Sequence, residues 1–388
     1  MQAELIAIGS ELVLGEIVDT NSAQIARMLR TIGLAVSRTT SIADDLPAIT
    51  RLVREACARS PIVITTGGLG PTVDDPTRAA VADAFGQELI YHEDLWAQIR
   101  ERFARFGRIP GENNRQQALI PSGGHAIENQ VGTAPGFWIE HEAIAGGGVI
   151  ISLPGVPREM EHLMQVWALP YLREHFGLRG IIKARVLRTI GVGESAIDQQ
   201  IGELERLTNP TVGLNAHAGN VDIRITATAP NEAEADALIA PIEAQVRAAL
   251  TEHIYGVDGD TIDLAVGRLL LERGIRLGLA EAGTDGKLNA RLAVLPMAAE
   301  VYAGGGPVGP DETPAAAAER VRAARLAHVG VSVRVFQGSS PQEPRGLELA
   351  ISDAAGTEAQ RSGYGGPPAN LPLWASTAAL NLLWRRLR

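Results

Sequence analysis

Short apolar runs alternate with segments of helical spacing through the first 170 residues. Glu4 to Ile8 predicts a strand. Ser22 to about Ile32 predicts a helix with Ile25, Met28 and Leu29 on one face and Asn21 at its cap position. Leu34 to Thr40 reads as a second strand and Leu46 to Ala58 as a second helix, with Asp45 just before it. Ile62, Val63 and Ile64 form an apolar, β-branched run of the kind found where a parallel strand is covered on both faces. Gly67, Gly68 and Gly70 follow, and then a helix over Asp75 to Phe85, with Asp75 a natural N-cap and Pro76 at the first helical position. This βαβαβα order predicts an α/β fold, a parallel sheet with helices on both faces and right-handed crossovers. Glu93 to Phe106 predicts a further amphipathic helix. Phe137 to Glu140 and Gly148 to Leu153 read as antiparallel strands, and Pro157 to about Trp167 as a helix.

The first predicted domain covers residues 1–170. Residues 171–256 predict a smaller α+β unit. Its strands are Ile181 to Gly191, Thr211 to about Ala216 and Val221 to Ala227; its helices are Glu194 to Leu207 and Asn231 to Leu250. Residues 257–388 predict a third unit, opening with helix Thr261 to Arg273 and strand Ile275 to Leu279. Good helices recur over Ala315 to Ala327 and Ala375 to Leu387, and Pro- and Gly-rich stretches at 304–314 and 363–372 predict loose loops.

Composition narrows the picture. The 388 residues are 45% hydrophobic and 21% charged, as in a globular protein, but only 4% aromatic, so the cores are aliphatic. A net charge of −10 argues against a nucleic-acid-binding surface. The single cysteine, Cys57, lies in a helical pattern and excludes both an intramolecular disulfide and a cysteine-based zinc site. Its expected place is the core. No run of about 18 apolar residues is present, so a cytoplasmic protein without a membrane span is expected.

The chemistry concentrates at Thr66 to Asp75. Glycines at a strand-to-helix turn let backbone N–H groups approach a phosphate, and the helix's positive end adds to that. Asp74 and Asp75 favour a cation. The alternative is a tight connection in which Asp75 only caps. The stretch is not a nucleotide P-loop, because the Lys-Ser/Thr pair is missing. In open α/β sheets ligands bind beyond the carboxyl ends of strands, and Gly9-Ser-Glu11 leaves the first strand at such an end.

Gly-Gly-Leu-Gly-Pro-Thr72 followed by Asp-Asp-Pro-Thr77 resembles the signature of the competence/damage-inducible protein A family, CinA, whose N-terminal domain is similar to molybdopterin-binding domains. Gly9-Ser-Glu-Leu, Asp19-Thr-Asn21, Asp44-Asp45, Asn114-Arg-Gln-Gln-Ala118, Gly132-Thr-Ala-Pro-Gly136, Leu153 to Met160 and Gly191-Val-Gly-Glu-Ser195 extend the resemblance over about the first 230 residues. It implies a metal-dependent pyrophosphatase acting on ADP-ribose or a related nucleotide diphosphate. Amides of Gly67, Gly68 and Gly70, hydroxyls of Thr66 and Thr72, and Ser10 would then hold phosphates. Asp74, Asp75 or Glu11 would hold Mg²⁺, Mn²⁺ or Co²⁺. Asp44 and Asp45 are candidates for a general base or second carboxylate, or cap the second helix. Asp19 and Asn21 would contact ribose, unless Asn21 only caps. Asn114 and Arg115 would reach a phosphate, or make a surface salt bridge. None of the eight histidines falls at metal-ligand spacing. A non-catalytic nucleotide or molybdopterin-like binding module, a molybdopterin-adenylylating transferase and a competence or DNA-damage scaffold are the alternatives.

The resemblance also implies a KH-like middle domain, here without a basic stripe, read as a spacer or dimerisation unit, and a homodimer. The family's C-terminal domain deamidates nicotinamide mononucleotide. Here Ala280-Glu-Ala-Gly-Thr-Asp-Gly286 stands where the family has Ala-Glu-Ser-Cys-Thr-Gly-Gly. Ala282 replaces the serine nucleophile and Asp285 a glycine, and only Val301 to Gly306 remains of the tyrosine–lysine segment. Gly338 to Gly346 is the candidate remnant of a further loop. A methyl group cannot attack a carbonyl, so a deamidase without activity is expected.

Overall fold

The computed structural model describes residues 1–105, 107–217, 219–336 and 345–388. They divide into two units, Met1–Lys183 with Thr228–Asp236, and Ala184–Ala227 with Ala237–Arg388.

The first unit is built on a six-stranded sheet. In chain order its elements are β1 (Gln2–Ile8), α1 (Ser10–Val13), α2 (Thr20–Arg30), β2 (Ala35–Ile42), α3 (Leu46–Arg59), β3 (Ile62–Thr66) and α4 (Thr77–Phe85). Then come β4 (Leu89–Tyr91), α5 (Glu93–Arg105), β5 (Leu119–Pro121), β6 (His125–Ile127), β7 (Gly136–His141), β8 (Gly148–Leu153), α6 (Pro157–Leu163) and α7 (Leu169–His175). The strand order is β2-β1-β3-β8-β7-β6, and β4 pairs with β5 separately. Neighbours from β2 to β8 are parallel, whereas β7 runs antiparallel to β8 and β6 to β7. The sheet is therefore mixed rather than all parallel. The six residues between β7 and β8 are too few for a crossover, which takes a dozen or more.

All five residues of β3 are buried. The period of two splits them between layers. Ile62 and Ile64 pack with Ile25, Leu29, Met160 and Leu163 of α2 and α6. Val63 packs with Ile49, Val53, Val81 and Ile99 of α3, α4 and α5. Cys57 is buried in that second layer, and burial pushes its thiol up to about 12, so it is a core residue as expected. The helix expected to stop near Trp167 continues through a π-helical turn, Met164–Ala168, into α7. Pro170 lacks an N–H but falls in the first turn after the π insertion, and buried Leu172 anchors the continuation.

Over residues 181–257, β9 (Ile181–Ile190), α8 (Glu194–Ile201), β10 (Thr211–His217), β11 (Asn220–Ala229), α9 (Glu232–Ala249) and β12 (Ile254–Val257) form a sheet ordered β10-β11-β9-β12 with two helices. The short β12 was not expected. The remaining elements are α10 (Ile262–Glu272), β13 (Leu277–Ala282), α11 (Lys287–Ala293), α12 (Ala298–Val301), β14 (Tyr302–Pro307), α13 (Pro314–Ala324), β15 (Val329–Phe336), β16 (Gly346–Asp353), β17 (Gly356–Gly363) and α14 (Leu371–Arg386). Their sheet runs β14-β13-β15-β16-β17. Part of the expected loose stretch at 304–314 is thus strand β14, whose three consecutive glycines carry no apolar pattern. The stretch at 363–372 shortens to a link holding one 3₁₀ turn, Pro368–Asn370. Gly338 to Pro344 of the candidate remnant loop lies outside the described residues.

Candidate functional site

The carboxyl ends of β1, β3 and β8 open on a cavity of about 480 Å³. Glu11, Asp44, Gly67, Gly68, Gly70, Asp74 and Asp75 all line it. Parallel strands explain this convergence, since the loops leaving their carboxyl ends meet on one side of the sheet.

The glycine turn is shaped by contact as much as by torsion. Gly67 has φ +105, and a Cβ there would stand 2.1 Å from the Ile8 carbonyl oxygen. Gly70 has no positive φ; there a Cβ would stand 2.5 Å from Asp75 Oδ2. The Gly67 N–H donates to Leu153 O at 3.0 Å. The N–H groups of Gly68, Leu69 and Gly70 have no acceptor among the described residues. Three consecutive amides at a cavity wall make an anion-binding concavity.

The carboxylates differ. Asp75 Oδ2 accepts the N–H and the hydroxyl of Thr72, which closes the loop, and α4 begins only at Thr77 with no side-chain cap. Asp75 is therefore not the helix cap. Asp74 and Glu11 are exposed. Asp44 Oδ2 accepts both the N–H and the hydroxyl of Ser10 at 2.8 Å, so Ser10 holds Asp44 rather than lining the cavity. Asp45 caps α3 through Ala48 N at 2.8 Å and lies off the cavity. Among the described residues no group of three or more His, Cys, Asp or Glu side chains forms a ready-made metal cage. Mg²⁺ usually takes one or two carboxylates plus substrate phosphates and water. The donor set here suits that mode and not an all-protein cage.

The threonine hydroxyls are committed within the protein. Thr66 donates to Pro154 O at 3.0 Å, and Thr72 donates to Asp75. Asp19, not Asn21, caps α2, accepting from Ser22 N at 2.9 Å. The Asn21 amide instead donates to Thr66 Oγ1 at 3.0 Å and Gly155 O at 2.8 Å. Asp19, Asn21 and Thr66 line a smaller neighbouring cavity. Asn114 and Arg115 line neither. The 3₁₀ turn Glu112–Ala118 points Asn114 inward, onto Gly111 N and Gln117 Oε1. It points Arg115 outward, over the Tyr91 and Trp96 rings and 3.3 Å from Glu112. Gln117 reaches the cavity in their place, and Gln116 donates to Thr72 O at 2.8 Å.

Two charged residues escaped the sequence reading. Glu159 lines the cavity and accepts from Asn129 Nδ2 at 2.6 Å. Burial raises its carboxyl pKa, against the opposing effects of Asn129 and Arg102. Its place in the Pro-Arg-Glu-Met run at the start of α6 was the available signal. Arg78 is 4% exposed behind the glycine turn, donating to Leu69 O at 2.9 Å and toward Pro135 O at 3.4 Å. Burial lowers its pKa to about 10, opposed by the charge of Asp75.

In the second unit Ala282 ends β13. Glu281 accepts from Thr284 Oγ1 at 2.5 Å and from the N–H groups of Leu288 and Asn289. Asp285 has φ +54, and Tyr302 donates to Asn289 Oδ1 at 2.5 Å.

Residues 4–174 match the family described as a probable molybdopterin binding domain. Residues 184–256 match the damage-inducible protein CinA KH domain. The whole chain aligns at 35% identity with 99% of a putative competence-damage inducible protein of Moorella thermoacetica. It aligns in full, also at 35% identity, with 96% of a CinA-like protein of Frankia casuarinae. A crystal structure of the protein CinA from Thermoplasma acidophilum shares 36% identity, over 44% of this chain and 98% of that one, with a TM-score of 0.40.

Proposed function

The chain belongs to the family of CinA-like, competence-damage inducible proteins, and from that premise we propose that its first unit hydrolyses a nucleotide diphosphate such as ADP-ribose. The observation that carries this is the run of three amides, Gly68 to Gly70, without an acceptor among the described residues, in a cavity that also presents Glu11, Asp44, Asp74 and Asp75. Those amides donate to phosphate oxygens, with the buried Arg78 guanidinium behind them. One or two of Glu11, Asp74 and Asp75 would hold a Mg²⁺, Mn²⁺ or Co²⁺ ion, which would supply neutralisation of the diphosphate and activation of water. Asp44, held by Ser10, accepts a proton from the attacking water. The P–O bond of the bridge breaks, and the leaving phosphate takes a proton from Glu159 or solvent. From ADP-ribose the products are AMP and ribose 5-phosphate.

The test is chromatographic detection of AMP from ADP-ribose and related nucleotide diphosphates, with each of the three metals and with chelator. Metal-dependent AMP release supports the reading. Binding without turnover under every metal replaces it with a non-catalytic nucleotide or molybdopterin-like binding module. No described helix is long and apolar enough to cross a membrane. We further propose a homodimer, which a sizing column tests.

A further inference from the structure

The 3₁₀ turn Glu112–Ala118 brings a side-chain donor to the larger cavity. In a 3₁₀ helix residues three apart share a face, so Asn114 and Gln117 stand side by side, and both are buried. Gln116 points elsewhere: its Nε2 donates to Thr72 O at 2.8 Å and lies 3.5 Å from Gly70 O. The turn is thereby tied to the glycine loop, and Gln117 enters the same cavity as that loop's amides.

A chain of hydrogen bonds decides which end of Gln117 faces the cavity. The Gly111 N–H donates to Asn114 Oδ1 at 2.9 Å, which fixes that atom as the acceptor end. Asn114 Nδ2 then donates to Gln117 Oε1 at 3.0 Å. The far end of Gln117 is consequently its NH₂ group, which donates and cannot accept. Gln117 is 1% exposed and lines the cavity. Its Nε2 has no acceptor among the described residues, yet it is not sealed from the cavity as Asn21 Oδ1 is from its own. A nearly buried donor with no acceptor calls for an occupant that supplies one.

We propose that Gln117 is a binding residue of the phosphate cavity. Its Nε2 donates to a phosphate oxygen of the ligand, a fourth donor beside the amides of Gly68, Leu69 and Gly70. Asn114 is its positioning residue, touching no ligand and holding the Gln117 amide with the donor end outward. The sign matters, because a reversed amide would set a carbonyl oxygen against an anion. The inference rests on the reading that this cavity takes a diphosphate. It adds that a buried side chain, and not the backbone alone, selects the anion.

Titration calorimetry of the full chain with Mg²⁺ and inorganic pyrophosphate tests it without requiring turnover. Gln117→Met keeps the length and removes the donor, and affinity is expected to fall about fivefold or more. Gln117→Glu keeps the bond from Asn114 but turns the donor into a carboxylate oxygen, and affinity is expected to fall about tenfold or more. This isosteric variant decides the case if Gln117→Met fails to fold. Asn114→Leu is expected to weaken binding on its own and to add nothing to Gln117→Met. Affinity within about twofold of native in either Gln117 variant overturns the role of Gln117 and leaves the diphosphate reading standing. Losses that add in the double variant overturn the positioning role of Asn114. No pyrophosphate binding by the native chain overturns the diphosphate reading, and this inference with it.

Discussion

Asp75 Oδ2 takes two hydrogen bonds from one residue, the N–H of Thr72 at 2.8 Å and its hydroxyl at 2.5 Å. The neighbouring Asp74 is exposed and makes no such closure. The two adjacent carboxylates therefore separate by experiment. Asp74→Ala is expected to abolish metal-dependent hydrolysis with an unchanged melting temperature. Asp75→Ala is expected to abolish hydrolysis and also to cost about 1–2 kcal/mol, because the loop loses two bonds to a charged acceptor. Denaturant unfolding beside an AMP-release assay checks both. Full activity in both variants removes these aspartates from the metal site.

Arg78 poses a sharper question, because its burial cuts both ways. Replacing a desolvated cation by a hydrocarbon relieves a cost, while Leu69 O and Pro135 O lose their donor. These effects oppose each other, so Arg78→Met is expected to move stability little. The charge behind the amides has no such offset. Diphosphate affinity is expected to fall at least tenfold, with Arg78→Lys intermediate, since one ammonium cannot span both carbonyls as a guanidinium does. Calorimetry with pyrophosphate measures it, and unchanged affinity in Arg78→Met reduces the residue to a strut.

Much of the first unit was legible because its signals are local. Ile62 to Ile64 followed by the glycine turn reads as strand, turn and helix without knowledge of anything else. The reversal at β7 was half visible, in the short link to β8. Which residue caps α2 was not legible: Asp19 and Asn21 both suit a cap, and only the distant Thr66 and Gly155 draw Asn21 away. Arg78 carried no local signal, since its burial depends on the 132–136 segment folding against it. Asn114 and Arg115 line neither of the two cavities because the 3₁₀ turn that carries them aims one side chain inward and the other over aromatic rings.

Glu159 carries a pH signature of definite sign. Burial raises its folded-state pKa above the ordinary 4.5, so the native protein holds this proton more tightly than the unfolded chain does. The stability it contributes is complete below 4.5 and is lost as pH rises through the folded value. Glu159→Gln has no such proton to lose. Melting curves from below 4.5 to neutrality are expected to show wild type losing ground to the variant as pH rises. A difference between the two that stays constant across that range contradicts the burial argument.

The C-terminal unit raises the question of whether one substitution would restore a nucleophile. Ala282 ends β13 where the resemblance places serine. A serine hydroxyl needs a base, and the nearby candidates are committed. Burial, with the Glu281 charge, pushes the Tyr302 phenol up to about 12, and it donates to Asn289; Lys287 pairs with Asp285 at 3.3 Å. Glu281 is already occupied by Thr284 and two backbone N–H groups. The native chain is expected to release no ammonia from nicotinamide mononucleotide, and Ala282→Ser alone is expected to release none either. An ammonia assay on both proteins checks this. Turnover by the native chain refutes the alanine argument itself, and turnover by Ala282→Ser alone shows that a base survives among these groups.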